Sequence, residues 1–209
     1  MSRETILKNI EDALQYREKF EFNTSFIDAI NHEENTLLEE FIKFQTNNKA
    51  EVILSSRDKV MEDLQKVVKN ANIKKMLCAT DLSIDIDNLK DVKLLPYEKS
   101  IEEVREDLFE IEASIVEAKC GIANLGIVGI VSSIQSPRLA SLIAPYCIML
   151  LDSTKIMPNL YAGVQYLKGL HNVLATNILF IAGPSRTADI ELQTVFGVHG
   201  PQKTSVIIY

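Results

Sequence analysis

The chain is poor in the residues that hold metals. Cysteine and histidine occur three times each in 209 residues. Cys78, Cys120 and Cys147 lie far apart, each in or beside an apolar stretch (MLCAT, VEAKCGIA, PYCIML). There is no C-x-x-C pair and no His–Cys spacing. No metal site is therefore expected, nor an iron–sulfur cluster held by this chain alone. The thiols read as small core residues, the usual fate of free cysteine; the alternative, a reactive thiol, falls on Cys120 beside Gly121. Positive charge is also short: 22 Lys and Arg against 29 Asp and Glu leave a formal charge of −7. That balance argues against a nucleic-acid partner and against an anionic membrane surface, since both are bound mainly through Lys and Arg. No apolar run approaches the ~18 residues of a spanning helix, so no transmembrane segment is expected. The opening MSRETILKNIEDALQY carries Glu4, Glu11 and Asp12 and lacks the pattern of a signal peptide. The expected location is cytoplasmic. Missing too are G-x-G-x-x-G, the P-loop, G-x-S-x-G and H-E-x-x-H. Hydride transfer to a Rossmann-bound nucleotide and phosphoryl transfer from a nucleotide thus have no local support.

What is present is an apolar share of 46%, enough for one sizeable core. Residues 1–48 read as an N-terminal helical extension and residues 49–209 as an α/β domain. In the extension, Ile6, Ile10 and Leu14 follow a helical period. Leu37, Leu38, Phe41, Ile42 and Phe44 form a second stripe, with Asn31 as its expected cap and Glu33 and Glu34 in its first turn. Such stripes pack on the main domain or on a partner subunit. From Ala50 strands and helices alternate. EVILSS is a strand, and Val60, Leu64, Val67 and Val68 mark one face of a helix. KMLCAT and VKLLPY follow, Pro96 marking an edge or a strand end, and then a helix headed by Ser100 and Glu103 as a capping box. ASIVEAKCGIANLGIVGIVSS reads as two strands around a glycine-bearing turn. SPRLASLIAPY reads as a helix capped by Ser136 and opened by Pro137. CIMLLDS is apolar enough for a strand covered on both faces. A helix from about Pro158, the strand NILFIAG and the last strand TSVIIY complete the chain. The pattern predicts an α/β fold with a mainly parallel, mixed sheet flanked by helices. An antiparallel element is expected at GIVGIVSS or TSVIIY.

Three stretches can carry chemistry. GPSRTADIE, 183–191, follows the strand NILFIA, at the loop position where open α/β sheets bind ligands. Gly183 and the amides of an expected helix start would face an anion, Ser185 and Thr187 can donate, and Arg186 offers a planar fork for carboxylate or phosphate. Asp189 is a brace for Arg186, a cap or a base, and Glu191 lies in the same turn. The alternative is an ordinary capped helix with a solvated Arg. GVHGP, 197–201, is second: Gly197 reads as a helix end, Gly200-Pro201 as a turn, and His199 between them suits a general acid/base or an anion donor. The alternative is a His that fixes the turn through a backbone carbonyl. His32 and His171 read as surface residues. Third is GIANLG with Gly121 and Gly126, together with Arg138 in the first turn of its expected helix, where the dipole disfavours a cation and so favours anion binding. Glu117 in SIVEAKCG is a further candidate, a carboxylate inside a strand pattern; the alternative is an edge residue facing water. His199 and Asp189 are the catalytic candidates.

The order CGIANLGIV, SPRLASLIAPYCIMLLDSTKI, IAGPSRTADIELQTVFGVHGP resembles the lactate-utilisation (LUD) domain family, most closely its lactate utilisation protein C branch. The resemblance runs from about residue 50 to the end, and GPSRTADIE followed by G-x-HGP is its most specific part. It implies a fold similar to the NagB/RpiA/CoA-transferase-like superfamily. It also implies action with iron–sulfur partner subunits in oxidising L-lactate to pyruvate, the clusters belonging to the partners. The resemblance lends importance to Arg138, Ser185, Arg186, Thr187, Asp189, Glu191 and His199 without assigning their roles. One departure stands out: the family's usual Glu-Thr-Gly is here Asn124-Leu125-Gly126, an amide and an apolar group in place of a carboxylate and a hydroxyl. Three readings follow. The chain is a subunit without clusters whose pocket, built by Arg138, 185–189 and His199, binds a small carboxylate or a cofactor anion. Or it is a stand-alone enzyme, like the isomerases and CoA-transferases of its fold, on a phosphate- or CoA-bearing substrate. Or it is an assembly subunit without chemistry.

Overall fold

The computed structural model describes residues 2–16, 30–97, 101–170, 175–187 and 194–209. Contacts divide the chain into a unit ending at Asn31 and one running from His32 to Tyr209. The first holds helix α1 (Arg3–Gln15), whose N-cap Ser2 accepts from the Thr5 amide. The expected second helix, α2 (Leu37–Asn47), belongs to the second unit. Its cap is Thr36 rather than Asn31, because Thr36 and Glu39 close a reciprocal capping box. His32 is exposed, as expected, and sets Nδ1 2.6 Å from an Oε of Glu40, a carboxylate buried on α2.

Six strands form an all-parallel sheet: β1 (Glu51–Leu54), β2 (Lys75–Cys78), β3 (Lys93–Pro96), β4 (Ala113–Ala118), β7 (Tyr146–Leu151) and β12 (Lys203–Ile208). Their order is β1-β12-β7-β4-β2-β3. Pro96 lies on the edge strand β3, where a missing N–H costs no ladder bond. The last strand is not antiparallel: β12 is parallel to both neighbours, near the middle of the sheet. Antiparallel pairing is confined to two smaller sheets. One joins β5 (Cys120–Ile122), β6 (Ile127–Val131), β8 (Ile156–Met157) and β9 (Ile178–Ile181) in the order β8-β5-β6-β9. The other pairs β10 (Arg186–Thr187) with β11 (Val195–Phe196).

Strand parity divides the core. Tyr146, Ile148 and Leu150 of β7 face one side with Val60, Leu64, Val67 and Val68 of α3 (Val60–Asn70). Cys147, Met149 and Leu151 face the other, with Phe41 of α2 and Leu108 of α4 (Ile101–Phe109). Both faces are covered, which is why CIMLL is apolar without alternation. Helix α5 (Leu160–Gly169) starts two residues after Pro158, capped by Asn159. The stretch after Pro137 is only a 3-10 turn, Arg138–Ser141, with no side-chain cap from Ser136. Ser100 and its expected capping box fall outside the described residues, as does His171. Among the described residues no helix is long and apolar enough to cross a membrane.

Candidate functional site

The signature segments meet each other. The Ser185 amide donates to the Pro201 carbonyl at 2.8 Å, and the Gly197 amide donates to the Ser185 carbonyl at 3.0 Å. A Cβ on Gly200 would stand 3.2 Å from Ser185 Cβ, so glycine is needed for the close approach. Arg186 and Thr187 are opposite Phe196 and Val195 in the hairpin. This corrects the expected helix start at 186–187, which is strand, and the expected helix end at Gly197 (φ +80°), which follows a strand; 188–193 lie outside the described residues. Arg186 and His199 are exposed. Asp189 and Glu191 lie outside the described residues. The joined segments lead into the amino end of the sheet, where the Gln202 amide donates to the Pro145 carbonyl just before β7.

The glycine candidates turn out to be docking points for α2. A Cβ on Gly121 would approach the Phe41 ring at 3.0 Å. One on Gly126, which has φ +56°, would run into the Gln45 backbone, and one on Gly183, φ +104°, into the Asn48 carbonyl. Asn48 Nδ2 also donates to the carbonyls of Leu125 and Gly126 at 2.8 and 2.9 Å. So Gly121, Gly126 and Gly183 are spent on helix packing, and Asn124-Leu125 sits in the turn beneath α2.

Arg138 is elsewhere. It is exposed on the rim of a cavity of about 1140 Å³, with Tyr97, Ser132, Ser133, Pro137, Thr176 and Asn177 in the lining. Among the described lining residues, Ser185, Arg186 and His199 are absent. Arg138 and the signature segments therefore form two places rather than one pocket.

Glu117 is not an edge residue facing water. It is 4% exposed on β4, a central strand, at its carboxyl end. It accepts from the Ser83 amide (3.2 Å) and lies within hydrogen-bond distance of the Ser83 hydroxyl (3.0 Å) and the Tyr209 hydroxyl (2.8 Å); the two hydroxyls also touch each other, so their two protons serve two of these three contacts at a time. Burial, with the Glu117 carboxylate nearby, pushes the Tyr209 phenol up to about 12. Next to this group Lys119 Nζ lies 2.6 Å from Asp81 Oδ2. Chain connections from β2 and β4 leave in opposite directions, to β3 and toward β7, so their carboxyl ends mark the switch point at which open α/β sheets bind ligands. Sequence reasoning missed Arg57, Asp81, Ser83, Lys119 and Tyr209. The usable signal was their position just after four parallel strands, β1, β2, β4 and β12. The cysteines fill the core as expected: burial pushes Cys78 and Cys147 up to about 12 and Cys120 up to about 11, against a reactive Cys120.

Residues 38–209 match the family described as LUD domain. An uncharacterized protein of Neisseria meningitidis is 33% identical over 118 residues, 56% of this chain and 51% of that protein. A lactate utilization protein C of Shouchella clausii is 34% identical over 89 residues, 42% of this chain and 39% of that protein. A lactate utilization protein C 1 of Bacillus mycoides is 27% identical over 174 residues, 76% of this chain and 72% of that protein. The chain spans about half, or less, of the length of the first two. A crystal structure of a DUF162 family protein from Deinococcus radiodurans superposes with a TM-score of 0.62 over 82% of this chain and 95% of that one. At 16% identity it shows a shared fold. The family match takes in every strand of the parallel sheet and both of the joined signature segments, and so the chain belongs to the LUD domain family.

Proposed function

We propose that this chain is the component without iron–sulfur clusters of a system that oxidises L-lactate to pyruvate, its clusters carried by partner subunits. The observation that carries the reading is family membership together with relatives named lactate utilization protein C. The three cysteines, all buried in the core, are consistent with electron transfer being delegated. Arg138 is the anion-binding group of the large cavity, with the hydroxyls of Ser132, Ser133 and Thr176 beside it. A cavity of about 1140 Å³ is larger than the usual small-molecule site. It suits a phosphate-bearing ligand of cofactor size better than a three-carbon acid. That same size favours the second reading, a stand-alone enzyme on a phosphate- or CoA-bearing substrate.

The test is deletion in the native host, scored by growth on L-lactate, with a tagged chain recovered for its partners. Lost growth restored by the wild-type chain, and brown partner subunits with the tag, are the expected results. Normal growth of the deletion strain on L-lactate overturns the reading. Turnover of a CoA ester or sugar phosphate by the isolated chain would establish the second.

A further inference from the structure

Glu117 presents a problem that the family signature does not solve. Its three hydrogen bonds all come from neutral donors. Among the described residues it pairs with no Lys, Arg or His; the neighbouring Lys119 is engaged by Asp81. A buried carboxylate without a cation is costly, and such groups concentrate where ligands are handled. The way out from Glu117 leads through two hydroxyls. Ser83 is exposed and Tyr209 is half-buried, and with its high pKa Tyr209 stays a proton donor at neutral pH.

A free cation stands beside those hydroxyls. Arg57, exposed in the loop after β1, reaches the Ser83 carbonyl at 3.4 Å and sits 5.9 Å from the centroid of the Tyr209 ring. Among the described residues it forms no ion pair. Glu117 and Tyr209 share the sheet face covered by α3, the helix that the Arg57 loop enters. The group thus offers a planar fork for a carboxylate. Next to the fork are two hydroxyls whose oxygens can accept from a ligand hydroxyl while their protons are held by the buried Glu117. That pattern matches an acid with a hydroxyl on the carbon next to its carboxylate. An acid lacking the hydroxyl would leave Tyr209 and Ser83 without their ligand partner.

We infer that the carboxyl end of the parallel sheet binds a small 2-hydroxy carboxylate, Arg57 pairing its carboxylate while Tyr209 and Ser83, backed by Glu117, hold its hydroxyl. The choice of ligand class rests on the lactate-utilisation reading; the site itself rests on the geometry. It is distinct from the Arg138 cavity.

Titration of the full chain with L-lactate and with propionate, followed by ligand-observed NMR, tests this directly. The wild-type chain should bind L-lactate at least about tenfold more tightly than propionate, the discrimination expected of a hydrogen bond backed by a charged group. Tyr209→Phe should erase that preference and leave propionate binding in place. Arg57→Ala should weaken both acids about tenfold or more. Circular dichroism melts of the two variants identify any that fail to fold, and Arg57→Lys then replaces Arg57→Ala. Equal binding of the two acids, wild-type affinity in a folded Arg57 variant, or no L-lactate binding at tens of millimolar overturns the proposal. The two ideas fail separately. If Arg57→Ala restores full growth on L-lactate to the deletion strain, the site fails and the role stands. If the binding pattern holds while the deletion strain grows normally, the role fails and the site stands.

Discussion

The two ends of the parallel sheet carry nearly the same residues and use them oppositely. At the amino end, Glu51 accepts from Ser205 (2.8 Å) and Tyr146 (3.1 Å), whose hydroxyls also bond each other. Lys203 closes this group, its Nζ 3.0 Å from Glu51 and 4.6 Å from the centroid of the Tyr146 ring. At the carboxyl end, Glu117 accepts from Ser83 and Tyr209 in the same triangle, but among the described residues no cation reaches it. The amino-end group ties β1, β12 and β7 together and leaves nothing unpaired. The carboxyl-end group holds its carboxylate buried and its cation, Arg57, exposed and, among the described residues, outside any ion pair. A Tyr–Ser–Glu triangle is thus no functional signature by itself. What distinguishes the two is where the positive charge is spent.

The largest effect should come from a change that touches neither end. Gly126→Ala puts a side chain at a left-handed φ and against the α2 backbone. It should cost about 3 kcal/mol of stability by denaturant unfolding, the sum of backbone strain and overpacking. This sets the scale of a purely structural lesion. Glu117→Gln should be next, with about tenfold or greater loss of L-lactate binding and an unfolding midpoint near that of the wild type. A collapse in stability with affinity retained would make the carboxyl-end triangle a staple like its counterpart. Tyr146→Phe should do the reverse: about 1 kcal/mol less stable, from the lost bonds to Glu51 and Ser205, with L-lactate affinity unchanged.

The smallest effect is a pH dependence. Burial works against the charged form of Glu51, but hydrogen bonds from Lys203, Ser205 and Tyr146 win and hold its carboxyl below the usual range. A carboxyl depressed in the folded state stabilises fully above the unfolded pKa and loses that contribution as pH falls through the folded one. The melting difference between the wild type and Lys203→Met should therefore be present at neutral pH and shrink toward about pH 3. It should stay under about 1 kcal/mol, because Glu51 and Lys203 are each roughly half exposed. A difference that grows on acidification would contradict the assigned closure of the amino-end group.

The strands and the α3 face were legible because local pattern decides them: apolar runs covered on both sides, and the spacing of Val60, Leu64, Val67 and Val68. The joining of GPSRT to GVHGP was legible only as two motifs close in sequence. The helix start expected at 186–187 is strand instead, because Ser and Thr cap helices and line hairpins equally well. Glycines suggested ligand contact, and three of them receive a helix instead; absence of a side chain does not say what approaches. The carboxyl-end group was out of reach. Ser83 and Glu117 are 34 residues apart, and Tyr209 is 92 beyond Glu117.

By itself the sequence determined the class of fold, the parallel core, the burial of the three thiols and the family signature. Each of these follows from local hydrophobic pattern or contiguous residues. Only the tertiary structure decided which polar residues meet. Strand order put β2 beside β4 with the switch point at their carboxyl ends, and side-chain parity turned Glu117 and Tyr209 to the same face. The physical reason is that pairing order in a parallel sheet is set by crossover connections and packing on both faces, which no short stretch of chain encodes.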